Sequence, residues 1–175
     1  MIRILLASAA AALSLAACAS GPSELTAPTC VVRPAVGEAS QANWDAGNAA
    51  YLAWNGAQAG WTTTSTGLQY RRIGAAHPDG AKPAPTDTVK VHYRGTFIDG
   101  REFDSSWSRN EPTEFPLNRV IKGWTEGVGL MREGERFEFV IPASLGYGSR
   151  WVGGDELPPN STLRFSVELL DVKPG

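Results

Sequence analysis

The sequence has no run of positive charge. Its 16 Lys and Arg stand against 18 Asp and Glu, and Arg71-Arg72 is the one adjacent basic pair of note. Binding to a phosphate backbone needs a clustered basic surface, so this balance argues against nucleic acid as a partner. Two cysteines and two histidines are few soft ligands for a Cys/His zinc site, and a carboxylate site is the other route to a metal. The chain contains no G-x-x-x-x-G-K-[ST], G-x-G-x-x-G, H-E-x-x-H or G-x-S-x-G. Nucleotide and dinucleotide cofactors thereby lose their main support. No stretch reaches the ~20 strongly apolar residues that a spanning helix wants. His77 sits beside Pro78, and His92 falls on the outward phase of a strand, so neither reads as a general base. Asp104 and Asp155 have no readable acid/base pairing. A reaction without nucleophile, metal or cofactor fits these absences.

What is present is enough for a folded core. The chain has 175 residues, 42% apolar and 19% charged, which suits one domain plus a segment outside it. With 19 Gly and 12 Pro it is rich in turns.

The N-terminus reads as a processing signal. Arg3 supplies a positive charge, and Ile4 to Ala17 is an apolar run rich in Ala and Leu, the layout of a secretory signal. Leu15-Ala16-Ala17-Cys18 resembles the bacterial lipoprotein cleavage box, which implies removal of residues 1–17 and lipid on Cys18; Ala19 after the Cys resembles outer-membrane sorting. The alternative is an ordinary signal peptide cut at the A-x-A-like site Ala17-Cys18-Ala19. Several acyl chains on Cys18 would give stable anchoring where one is marginal. Cys30 then has no partner within the chain.

Residues 18–42 carry Pro22, Pro28 and Pro34 among small and polar residues and read as a flexible tether. In 43–61, Trp44, Tyr51 and Trp54 recur at helical spacing and predict a linker helix over Asn43 to Gln58, weakened by Gly47 and Gly56. Its aromatic stripe is expected to dock on the following domain. A membrane-surface helix is a poor alternative, because the stretch holds no Lys or Arg. Residues 62–175 form the domain, and from Leu68 the period becomes two. Val89, Val91 and Tyr93 alternate with Lys90, His92 and Arg94; Phe137, Phe139 and Ile141 alternate with Arg136, Glu138 and Val140; Leu163 to Leu169 repeat the pattern. These are half-buried antiparallel strands. Asp99-Gly100 between Phe97 and Phe103 predicts a hairpin. Trp124, Val128 and Met131 predict one short helix over Lys122 to Met131. A sheet with a single covering helix is an α+β domain.

Six ordered blocks then resemble the FKBP-type peptidyl-prolyl isomerases. They begin with Val91-His92-Tyr93-Arg94-Gly95 and Asp99-Gly100-Arg101-Glu102-Phe103-Asp104-Ser105-Ser106. Phe115-Pro116-Leu117, Val120-Ile121-Lys122-Gly123-Trp124, Leu145-Gly146-Tyr147-Gly148 and Leu157-Pro158-Pro159-Asn160-Ser161-Thr162-Leu163 follow. Leu52 to Tyr70 is similar to the linker of the bacterial Mip-like branch. The resemblance covers residues 66–173. It implies an FKBP-like antiparallel sheet wrapped around one short helix, preceded by a short N-terminal helix, and activity on X-Pro bonds of envelope proteins without cofactor or metal. The alternative is a chaperone or peptide-binding lipoprotein without catalysis.

The resemblance carries Tyr93, Phe103, Asp104 and Tyr147 onto the family's catalytic positions. Phe115, Val120, Ile121, Trp124, Leu157 and Phe165 match the substrate-binding walls, with Trp124 as the floor. Tyr147 matches a hydroxyl that donates to a substrate carbonyl, and the Ile121 backbone N–H a second donor. Taken singly, these aromatics would also sit inward for packing in any such sheet. Arg109 is expected beside Asp104 as its surface partner. Thr113, Leu145 and Glu156 depart from the family pattern, which makes the rim less apolar. Trp151 could replace a wall or cap its own loop. The implied partners are proline-containing polypeptides and macrolide immunosuppressants. The implied location is the bacterial envelope, lipid-anchored at the outer membrane and facing the periplasm. Longer Mip-like relatives dimerise through an extended helical region; the short helix here predicts a monomer.

Overall fold

Strand β3 organises the sheet because it is long enough to pair with three others. The computed structural model describes residues 38–154 and 156–175. Helix α1 (Glu38–Gly56) precedes strands β1 (Thr62–Thr63), β2 (Gln69–Ile73), β3 (Thr88–Phe97), β4 (Glu102–Ser105) and β5 (Thr113–Pro116). Helix α2 (Lys122–Val128), β6 (Arg136–Ile141) and β7 (Leu163–Lys173) complete the fold. Strand order is β1-β2-β6-β7-β3-β4, with β5 also on β3, and every pairing is antiparallel. The first part of β3, Thr88–Val91, pairs with β5, and Arg94–Thr96 pairs with β4. Between these short strands the chain leaves the edge and carries Arg109 outward. The sequence regions for the signal, Cys18, Cys30 and residues 18–37 of the tether lie outside the described residues.

The predicted alternation holds on β3 and β7, where the apolar phase is buried. It breaks at Val140, which is buried although its phase points away from Phe139. Val140 pairs with Arg164, whose guanidinium carbon lies 5.8 Å from the Tyr51 ring of α1, so α1 covers this patch of the outer face. The hairpin after β3 forms as expected. Gly100 N–H donates to the Phe97 carbonyl at 3.0 Å, and Gly100 takes φ 87°, a left-handed value that suits glycine.

Helix α1 starts at Glu38, ahead of the expected Asn43, and ends at Gly56, short of Gln58. No proline lies between Pro34 and Asn43 to stop it from extending backwards. Its inward face joins Trp44 and Tyr51, both buried, to Asn48 and Asn55, each 2% exposed; Trp54 lies beside this face, half-buried. Trp44 Nε1 donates to Ser161 Oγ at 3.2 Å, and Asn55 Nδ2 to Gln69 Oε1 at 2.8 Å. The stripe therefore docks on its own domain, as expected, but half of it is amide.

Helix α2 ends at Val128, three residues before the expected Met131. The N–H groups of Leu130 and Met131 reach back only three residues, to the carbonyls of Gly127 and Val128, a tightened last turn. Trp124, Val128 and Met131 are buried as predicted. The helix lies unusually close to β6: a Cβ at Gly123 would meet Ile141 at 2.5 Å, and one at Gly127 would meet the Phe139 ring at 2.7 Å. Two glycines one turn apart are what allow this approach.

Candidate active site

Trp124 leaves α2 toward the sheet and is ringed by three aromatics standing nearly perpendicular to it. Tyr93 from β3 lies 5.3 Å away at 88°, Phe165 from β7 5.3 Å at 86°, and Phe115 from β5 5.6 Å at 79°, measured between ring centroids. Phe103 from β4 adds a fourth wall, 5.6 Å from Phe165 at 88°. Edge-to-face contacts of this kind hold rings rigidly. Together with Val120 and Ile121 they enclose a cleft of about 500 Å³.

One side of the cleft carries a closed polar triangle. Tyr93 Oη donates to Asp104 Oδ2 at 2.5 Å, Arg109 Nη1 donates to Asp104 Oδ1 at 2.5 Å, and Arg109 Nη2 donates to Tyr93 Oη at 3.0 Å. Ser106, which is fully buried, ties the triangle to the backbone: its N–H donates to the Tyr93 carbonyl at 2.9 Å, and Tyr93 N–H donates to its hydroxyl at 2.7 Å. Burial raises the carboxyl pKa of Asp104, but the hydrogen bonds from Tyr93 and Arg109 and the Arg109 charge outweigh it and hold the group below its ordinary range. Tyr93 is pushed up, first by burial and then by its bond to Asp104. Tyr147 is pushed up by burial and by the Asp104 charge. Both phenols are therefore neutral donors at neutral pH.

Of the residues anticipated from the sequence, Tyr93, Phe103, Asp104, Phe115, Val120, Ile121, Trp124, Tyr147 and Phe165 all line this one cleft. Leu157 does not. It is buried, 6% exposed, and its backbone pairs with Val152 in an isolated bridge. Trp151, at 37% exposure, is not a wall either. Arg109 pairs with Asp104 as expected. His92, on the outward phase, stacks on Trp107 with centroids 5.6 Å apart. Three lining residues were not anticipated: Arg119, Gly146 and Arg150. Gly146 lies within the Leu145-Gly146-Tyr147-Gly148 block, whereas the two arginines belong to no periodic pattern.

The sequence profile of the FKBP-type peptidyl-prolyl cis-trans isomerases matches residues 80–170, which contain this entire cleft. The chain belongs to the FKBP-type peptidyl-prolyl cis-trans isomerase family. It is 50% identical over 125 residues to the FKBP-type isomerase FkpA of Aeromonas hydrophila, covering 70% of this chain and 44% of that one. It is 45% identical over 124 residues to the outer membrane protein MIP of Legionella longbeachae, covering 71% and 52%. The crystal structure of FkpA from Escherichia coli superposes with a TM-score of 0.71 at 47% identity, covering 76% of this chain and 61% of that one. The chain spans about half the length of the curated relatives it matches.

Proposed function

We propose that this protein catalyses cis/trans isomerisation of X-Pro bonds in extended polypeptides, with the proline ring seated on Trp124. The observation that supports this reading most strongly is the floor itself: one indole ringed by three upright aromatics, a shape suited to a flat, apolar five-membered ring. Rotation about an X-Pro bond faces a barrier of ~18–20 kcal/mol because the twisted amide loses resonance. The planar amide carries more charge separation than the twisted one. An apolar, water-poor cleft therefore disfavours the ground state relative to the transition state, with no bond made or broken.

The polar groups take separate roles in this mechanism. Tyr147 donates its phenolic hydrogen to a substrate carbonyl, and the Ile121 N–H, at the start of α2, donates to a second. Asp104 stays ionised but compensated by Arg109, which holds Tyr93 against the floor without placing a bare charge in the cleft. Such preorganised donors fix the peptide so that only the imide bond turns. The same cleft is expected to accept macrolides, more weakly because Thr113, Leu145 and Glu156 depart from the family pattern and leave the rim less apolar.

Exchange spectroscopy on a short X-Pro peptide tests the reading directly. Catalytic amounts of protein should collapse separate cis and trans signals, and unchanged exchange at micromolar protein would sink the proposal.

The same reading places the protein in the bacterial envelope, lipid-anchored through Cys18 at the outer membrane and facing the periplasm. Its support is the Leu15-Ala16-Ala17-Cys18 box after the apolar run, together with the relative named an outer membrane protein. No helix among the described residues is long and apolar enough to cross a membrane. Cys18→Ser should release the protein from membranes or leave it unprocessed, and mass spectrometry finding an unmodified Cys18 thiol would refute lipidation. We read the chain as a monomer, because the apolar residues of α1 are spent on its own domain. Sedimentation showing a stable dimer at low micromolar concentration would overturn that.

A further inference from the structure

Arg119 and Arg150 bring two positive charges to the cleft from separate segments. Arg119 directly precedes Val120-Ile121, and Arg150 follows the Tyr147 segment; both residues are exposed and both line the cleft. Arg109 and Asp104 cancel each other, with Arg109 Nη1 2.5 Å from Asp104 Oδ1, and the exposed Glu156 at the rim offsets one further positive charge. Among the described residues neither Arg119 nor Arg150 takes part in an ion pair. The mouth thus keeps an excess of positive charge on a chain whose formal net charge is −2. A local field of sign opposite to the whole molecule favours ligands by their charge pattern.

We propose that Arg119 and Arg150 are specificity-determining residues, and that the cleft prefers proline segments with Asp or Glu adjacent to the proline. The inference rests on the isomerase reading above. The floor cannot take a charge without desolvating it, so the proline ring occupies the floor. Side chains flanking the proline point toward the mouth, where a carboxylate stays hydrated and meets a guanidinium. An exposed pair of this kind changes an equilibrium by about 1.4- to 5-fold. Two of them give Glu over Gln an advantage of about 2- to 25-fold in kcat/KM at low ionic strength. The Debye length shrinks from about 30 Å at 0.01 M salt to about 3 Å at 1 M, so the advantage collapses with added salt. A preference based on size or on neutral hydrogen bonding would not.

The test compares Ala-Glu-Pro-Phe with Ala-Gln-Pro-Phe, and Ala-Ala-Pro-Glu with Ala-Ala-Pro-Gln, by exchange spectroscopy with the full chain at 0.01 M and 1 M salt. Ala-Leu-Pro-Phe serves as the neutral reference. The expected result is a Glu:Gln ratio of at least about two for one or both positions at low salt. That ratio should fall toward one at high salt and in the double variant Arg119→Gln, Arg150→Gln. A ratio below about two in both pairs, or one that the double variant retains in full, overturns the proposal; turnover of the neutral peptide then leaves the isomerase reading standing. No exchange with any peptide overturns both.

Discussion

The Asn48 side-chain carbonyl accepts the backbone N–H of Thr162 at 2.7 Å, across 114 residues of chain. Its Nδ2 donates to the Trp44 carbonyl one turn back at 2.8 Å, so the amide is locked at both ends. Thr162 immediately precedes β7, the strand that supplies Phe165 to the cleft. The N-terminal helix is thereby tied, through one buried amide, to the strand that builds a wall of the site.

Asn48→Ala should leave the Thr162 N–H, in a residue only 1% exposed, without its acceptor. The expected loss is about 1–3 kcal/mol of unfolding free energy, the cost of a buried unsatisfied donor. Urea denaturation measures it, and a change within 0.3 kcal/mol of zero would show that water or a local shift replaces the bond.

Tyr147→Phe removes one hydroxyl and leaves the ring. If that hydroxyl donates to a substrate carbonyl, kcat/KM falls by the worth of an ordinary neutral hydrogen bond, about 0.5–1.5 kcal/mol or roughly 2- to 12-fold, with stability little changed. Full turnover in the variant would remove Tyr147 from the mechanism.

The pH response follows from the polar triangle. Asp104 is depressed in the folded state, so its stabilising contribution is complete above the ordinary aspartate range near 4 and is lost as pH falls through its lower folded value. Tyr93 is raised, so its contribution is complete below the ordinary tyrosine value near 10 and is lost as pH rises through the higher folded one. Activity and stability should therefore be level between roughly pH 5 and 9. Asp104→Asn should abolish the acid-side slope, which will be shallow because the Asp104 side chain is 42% exposed and well screened. An unchanged acid limb in the variant would assign that limb to another carboxylate.

Gly127→Ala places a methyl 2.7 Å from the Phe139 ring. Overpacking of this kind costs about 1–3 kcal/mol. The helix must also move off β6, taking Trp124 with it, so the variant should lose both stability and peptide turnover. Near-UV circular dichroism reports the tryptophan environment directly, and an unchanged spectrum with full stability would show that Phe139 yields instead.

Much of this molecule is legible one residue at a time. Period two marks β3, β6 and β7 because each has one wet face, and the aromatic and polar blocks of the cleft stand in the order in which the strands deliver them. The inward amides of α1 are not legible in this way. Asn48 and Asn55 count as polar in any periodic pattern, and only the positions of the Thr162 N–H and the Gln69 side chain turn them into core residues. Leu157 is apolar as a wall residue should be and is buried beside the Val152 bridge, but it is not among the residues lining the cleft.

The sequence by itself determined which residues are apolar, where the strands alternate, and which aromatics are available for a floor, because burial of apolar surface acts on each side chain separately. Only the tertiary structure decided that Trp124 stands among Tyr93, Phe115 and Phe165, that Asp104 is neutralised by Arg109, and that Arg119 and Arg150 share one mouth. Hydrogen bonds, ring geometry and electric fields depend on distances between residues far apart in the chain, and those distances exist only once β3, β5, β7 and α2 have packed.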